Sequence, residues 1–158
     1  MRITHSVDIA APTDLVWRVY TDVERWPQWM DSMDHVDLAA SGGAIEGEPL
    51  QLGSRVWISQ PRLPNATWEV TELTPGRSWT WVSRSPGATS TAIHHLSPAE
   101  PTTTRVDTTL EMTGVLGRVV GRLIAKRAAR YMAMEADGLR AACAARADRG
   151  PNSTDAEP

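Results

Sequence analysis

The chain has 158 residues and a formal net charge of −3, which suits one domain with a sizeable core and gives no overall pull toward nucleic acid. Cys143 is the only cysteine, which excludes a disulfide framework or a cysteine-based metal site within the chain. No segment approaches the roughly 20 apolar residues of a membrane span, and no basic n-region with an apolar h-region opens the chain, so the expected location is cytoplasmic.

Ile3, His5, Val7 and Ile9 alternate with polar residues, the period of a half-buried strand. Ala10-Ala11-Pro12 breaks it, and Thr13 is placed to cap a helix that carries Leu15, Val16, Val19 and Tyr20. Asp22 opens a second short helix, Val23 to about Met30, in which Pro27 is tolerated near the N-terminus. A strand is expected around His35 to Leu38, and then Ser41-Gly42-Gly43 and Gly47-Glu48-Pro49 mark a loop or short strand. Further strands are expected over Gly53–Gln60, Ala66–Leu73, Ser78–Arg84, Ala88–Leu96 and Thr104–Met112. Pro75-Gly76 signals a type II turn between two of them. Their spacing of about ten residues, with tight turns, argues for an antiparallel meander.

The last element is a long helix from Val115 to about Ala145, free of proline. At ~100° per residue its apolar face holds Leu116, Val120, Leu123, Ile124, Tyr131, Met134 and Ala142, with Arg118, Arg122, Lys126 and Arg130 on the solvent side. Arg127 projects into the apolar face. The basic side of this helix can meet an anionic surface, or simply balance the acidic residues earlier in the chain, which is the plainer reading. Residues 148–158 have no apolar anchor and read as a disordered tail to a domain spanning 1–147. A strand, two short helices, about six more strands and one long helix make an α+β two-layer domain.

Ile9-Ala10-Ala11-Pro12, Val16-Trp17, Thr21-Asp22 and Trp26-Pro27-Gln28-Trp29 together resemble the opening of polyketide cyclase/dehydrase-like proteins. Those belong to the START-like (SRPBCC) superfamily. The likeness continues through Gln60-Pro61, Trp68-Glu69-Val70-Thr71-Glu72, Pro75-Gly76-Arg77, Ala92-Ile93-His94 and Glu135-Ala136-Asp137-Gly138-Leu139, and covers about Ile3 to Ala145. The resemblance implies a helix-grip fold: a curved antiparallel sheet of about six or seven strands wrapped around the C-terminal helix. It also implies an apolar cavity between them. Members range from lipid carriers to aromatase/cyclases, so fold does not fix function. No catalytic residue carries over by motif.

With a hollow core expected, the inward strand faces and the facing helix surface supply the candidate ligand contacts. These are Trp29, Met30, Gln60, Trp68, Trp81, His94, Leu123, Arg127 and Tyr131. Seven tryptophans with no phenylalanine suit cavity walls as well as core. His94, if buried, can donate a hydrogen bond or move a proton. Arg127 must either meet a carboxylate or a ligand anion, with Glu72 and Glu111 as candidate protein partners, or snorkel to water. Four scattered histidines form no metal-site pattern, and no cofactor-binding motif is present. The expected partner is a small hydrophobic ligand rather than a nucleic acid, with the protein a monomer or homodimer. An aromatase/cyclase- or dehydratase-type enzyme using the same cavity is the alternative.

Overall fold

The computed structural model describes residues 1–38 and 50–148. The expected loop at 41–49 and the tail at 149–158 lie outside the described residues. The elements in order are β1 (Arg2–Ile9), α1 (Thr13–Thr21), a 3-10 helix (Val23–Gln28), β2 (His35–Asp37), β3 (Arg55–Ser59), β4 (Ala66–Thr74), β5 (Ser78–Ser85), β6 (Ala88–Glu100), β7 (Thr103–Thr113) and α2 (Val115–Asp148).

The strands form one antiparallel sheet of seven, in the order β1-β7-β6-β5-β4-β3-β2. Pairing the last strand with the first makes the remaining strands a simple meander, as the short turns require. Gly76, with φ of +72°, sits in the Thr74–Arg77 turn after Pro75, the glycine position of a type II turn. Cross-strand register aligns the inward side chains in rows. One row holds Trp79, His94 and Thr108; the next holds Val70, Trp81, Ala92, Leu110 and Ile3; a third holds Ser83, Ser90 and Met112. The first row is large and aromatic and the third is mostly small. That gradient decides where the interior is filled and where it is hollow.

Two local expectations change. Pro12, not Thr13, is the N-cap of α1, and no side chain caps it; the Thr13 hydroxyl instead meets the Thr104 hydroxyl at 3.0 Å. The second short helix is a 3-10 turn ending at Gln28. Pro27 has no N–H to donate to the helix ladder, and the Trp29 and Met30 amides both bond to the Trp26 carbonyl.

The larger correction concerns α2. It buries Gly117, Gly121, Ala128, Met132, Ala136, Leu139 and Cys143, a face turned about a third of a turn from the one that large apolar residues alone suggest. Glycine and alanine let the helix backbone approach the sheet. A Cβ on Gly117 would meet Ala88, and one on Gly121 would meet Met1 and Met112. The helix is thereby drawn onto β1, β6, β7 and α1. Strands β3 to β5 face it across open space. Its start is fixed by the β5–β6 turn, whose Gly87 carbonyl accepts the Leu116 amide at 3.0 Å, and the helix runs on to Asp148.

Candidate functional site: a cavity with a polar inner pocket

A cavity of about 700 Å³ lies between the N-terminal half of α2 and strands β3 to β7. Leu116, Val120, Ile124 and Ala128 wall it from the helix side, and Ile58, Trp68, Val82, Leu110 and Met112 from the sheet. Ser83 and Ser90, the small third row, leave the room. A volume of this size falls within the range that small-molecule pockets span, about 300–1,000 Å³.

A smaller pocket of about 90 Å³ shares Ile58, Gln60, Leu63, Trp68, Leu110 and Ala128 with this cavity and reaches deeper, to Trp26, Trp81, His94, Thr108, Tyr131, Met132 and Glu135. At its inner end lies a buried polar cluster. Tyr20 of α1 donates its hydroxyl hydrogen to Glu135 Oε1 of α2 and lies 3.2 Å from the Thr108 hydroxyl. His94 Nε2 lies 3.9 Å from the same Glu135 oxygen. Four elements converge here, because the aromatic row of the sheet packs directly under α1 and the C-terminal half of α2.

Burial governs the chemistry of the cluster. Glu135 has a side chain only 14% exposed and pairs with no lysine or arginine among the described residues. Desolvation pushes its carboxyl up to about 7, opposed by the Tyr20 hydrogen bond, which favours the ionised form. His94 is stacked on Trp79 with ring centroids 4.2 Å apart, and Tyr20 and Trp81 meet it edge-on. Desolvation lowers its pKa to about 3, against the smaller opposite effect of the Trp79 backbone, so the imidazole is neutral at ordinary pH. The 3.9 Å approach to Glu135 is therefore not an ion pair. Tyr20 is raised well above its ordinary range by burial first and then by the Glu135 charge, so it stays a hydroxyl donor.

The sequence-derived candidates separate into three groups. Gln60, Trp68, Trp81, His94 and Tyr131 border the inner pocket, and Gln60 and Trp68 border the large cavity as well. Trp29 and Met30 border neither. Met30 is buried in the core, and the Trp29 carbonyl lies against α2 where a Cβ on Gly138 would come within 2.3 Å of it. Leu123 is 80% exposed on the outer side of α2, a consequence of the turned helix face. Arg127 is exposed and points out of the cavity: its Nη1 donates to the Arg62 carbonyl at 2.7 Å. Neither carboxylate considered as its partner reaches it, since Glu111 pairs with Arg2 at 2.9 Å and Glu72 accepts from Thr80. Tyr131, one turn on, donates to the Pro61 carbonyl at 2.5 Å. Together Arg127 and Tyr131 fasten the β3–β4 loop to the helix, with Arg62 held at a φ of +59°.

Glu135, Tyr20 and Thr108 escape a reading of local pattern. Tyr20 and Glu135 are 115 residues apart, and each looks ordinary within its own helix. The available signal was that Glu135 falls on the glycine- and alanine-rich face of α2, where a carboxylate needs explanation. Cys143 is buried and its thiol is pushed up to about 11, so it takes no part. Among the described residues no cluster of histidine, cysteine, aspartate or glutamate could hold a metal ion, and no helix is long and apolar enough to cross a membrane.

Among solved structures the fold resembles the Zhui aromatase/cyclase from Streptomyces sp. R1128, with a TM-score of 0.71 and 16% identity over 93% of this chain and 95% of that one. A START superfamily protein from Mycobacterium smegmatis matches with a TM-score of 0.72 and 16% identity over 92% and 98%. A hypothetical protein from Helicobacter pylori matches with a TM-score of 0.73 and 12% identity over 90% and 88%. At such identities the likeness is one of fold. No curated protein sequence matches the chain. The sequence pattern of the family described as polyketide cyclase / dehydrase and lipid transport matches residues 1–144. With that pattern spanning nearly the whole chain on a helix-grip fold, the protein belongs to the polyketide cyclase/dehydrase and lipid-transport family.

Proposed function

We propose that this protein binds a small hydrophobic molecule, of lipid, polyketide or aromatic type, in the cavity between the sheet and the N-terminal half of α2. The observation that carries this reading is the cavity of about 700 Å³, walled by apolar side chains from both layers. A sealed core of this sequence length has no need of such a space, since voids cost packing energy. Gln60, Trp68 and Leu63 lie where the large cavity meets the inner pocket, so a ligand would present one end to the aromatic wall and the polar cluster. Native mass spectrometry of protein made in its own host tests the reading, together with melting temperatures in the presence of lipids, polyketides and aromatic acids. A co-purifying mass or a saturable rise in melting temperature is the expected result. No bound mass and no shift with any of these compounds would contradict it.

The inner pocket favours a second reading, an aromatase/cyclase- or dehydratase-type enzyme. A carboxyl that titrates near neutrality, held by a tyrosine beside a neutral histidine, suits proton transfer to or from a substrate. In that case Glu135 is the group to carry it, with His94 adjacent, rather than Arg127 and Tyr131, which are engaged with loop carbonyls. Turnover of a co-purified or candidate substrate that disappears in Glu135→Leu, with the fold intact, would establish this reading over simple binding.

A further inference from the structure

The inner pocket joins apolar walls to a polar end. Its walls are apolar and aromatic, from Trp26, Trp68 and Trp81, and its polar end is built from Glu135, His94, Thr108 and Tyr20. We propose that it receives a carbonyl oxygen of the ligand, with the Glu135 carboxylic acid as hydrogen-bond donor and Tyr20 as the positioning residue that fixes the carboxyl's orientation. The proposal rests on the binding reading above and specifies the ligand class for that same cavity.

Three observations carry it. First, Tyr20 donates to Glu135 Oε1, so that oxygen is the acceptor of the pair and the acid hydrogen belongs on Oε2. His94, whose Nε2 lies near Oε1 at 3.9 Å, does not compete for it at hydrogen-bond distance. Second, no cation faces the group from any side among the described residues. The side chains packed there are Tyr20 from α1, His94 from β6, Thr108 from β7, and Tyr131 and Met132 from α2. A buried carboxyl with no countercharge stays neutral, and a neutral carboxyl donates; its elevation to about 7 by burial agrees with this. Third, the pocket measures about 90 Å³, room for roughly three non-hydrogen atoms at a water's share of about 30 Å³ each. An acetyl group or the edge of a ring ketone fits that space, with the remainder of the molecule in the large cavity.

The alternative chemistry is an amine, which would enter as the missing countercharge and hold Glu135 ionised. The two predict opposite pH dependence. Acetylnaphthalene, ethylnaphthalene and naphthylethylamine share one skeleton and differ at the group that would enter the pocket, so their affinities for the full-length protein separate the cases. At about pH 6 acetylnaphthalene should bind roughly tenfold or more tightly than ethylnaphthalene, and this preference should fade by about pH 8.5 as Glu135 ionises. Glu135→Gln, whose amide N–H also donates, should keep the ketone preference and lose its pH dependence. Glu135→Leu should lose the preference while still binding ethylnaphthalene. In Tyr20→Phe the midpoint of the pH dependence should move upward, because the hydroxyl bond that favours the carboxylate is gone; a merely structural role for Tyr20 would leave it in place.

Equal binding of the ketone and the hydrocarbon, or an amine preference that grows above about pH 7, would overturn the carbonyl assignment and leave the binding reading standing. Failure of all three probes to bind would contradict both.

Discussion

The two halves of α2 have the same regular backbone and opposite relations to the sheet. From Ala128 onward the helix is seated: Ala128, Met132, Ala136, Leu139 and Cys143 are buried, and Gly138 lies tight against the Trp29 carbonyl. Before Ala128 only Gly117 and Gly121 of the described residues of the helix are buried, while Val115 and Leu123 stand 81% and 80% exposed. One helix thereby serves two purposes. Its C-terminal half closes the core over the aromatic row of the sheet. Its N-terminal half spans the small-residue row without filling it, and the gap beneath becomes the cavity. The inner pocket, with Glu135 at its end, lies where one regime passes into the other.

Substitutions at Gly138 and Gly121 should separate the two halves most sharply. Gly138→Ala places a Cβ 2.3 Å from a backbone oxygen, a collision that backbone must relieve, and should cost more than about 3 kcal/mol in denaturant unfolding. Gly121→Ala brings a Cβ to 3.0 Å from the Met1 Cβ, a contact that a shift of a few tenths of an ångström relieves, and should cost about 1 kcal/mol, well below Gly138→Ala. Equal effects would mean that the helix is seated uniformly along its length.

The next effect is electrostatic and belongs to the seated half. Glu135 ionises near 4.5 when unfolded and near 7 when folded. Between those values the folded state binds more protons, so its contribution to stability declines as pH rises from about 4.5 to about 7, and the deficit persists above. Glu135→Gln cannot ionise and keeps an oxygen to accept from Tyr20. It should therefore exceed the wild-type protein in stability by up to roughly 3 kcal/mol at about pH 8, with the gap closing by about pH 4.5. His94 acts in the opposite sense in both proteins, since its lowered pKa costs stability as pH falls below 6.5 toward about 3. A gap between wild type and Glu135→Gln that does not vary with pH would mean that Glu135 is solvated.

Smaller effects mark the boundary and the free half. Tyr131→Phe removes the bond to the Pro61 carbonyl and should cost about 1 kcal/mol. It should also speed ligand release by freeing the β3–β4 loop; unchanged dissociation rates would show that the loop plays no part in access. Leu123→Lys, on the exposed outer face, should leave stability within about 0.5 kcal/mol. A larger loss would place Leu123 in the packed interior.

Much of the fold was legible because strand alternation and turn residues are local signals. Pro75-Gly76 and the β7 alternation of Val106, Thr108, Leu110 and Met112 point to the observed turn and inward face. The apolar arc of the helix was legible, and Leu116, Val120 and Ile124 on it wall the cavity; what size-based periodicity missed is the face on which the helix is seated. Leu116, Val120 and Leu123 mark a strong apolar arc, yet the helix seats on Gly117, Gly121 and Ala128, whose small side chains contribute little to any hydrophobic pattern. The same rotation puts Arg127 on the exposed side, the snorkelling alternative, where it meets the Arg62 carbonyl, and turns Glu135 inward. For fold-level partners such as Tyr20 and Glu135 the local signal is slight, a carboxylate on the small-residue face of α2, and nothing in either segment names the other. Their meeting is a property of how α1 and α2 cross the sheet.

Filling the gap under the free half of α2 shows whether it is a ligand site. Ser90 lines the cavity in the small-residue row, and Ser90→Trp would place a large ring in the space. The decisive measurement is the stoichiometry and affinity of ethylnaphthalene binding to wild type and Ser90→Trp, read by fluorescence and calorimetry. One molecule should bind per wild-type chain, with no saturable binding to a Ser90→Trp protein that is still folded. Undiminished binding to Ser90→Trp, or none to the wild type, would contradict a ligand site there.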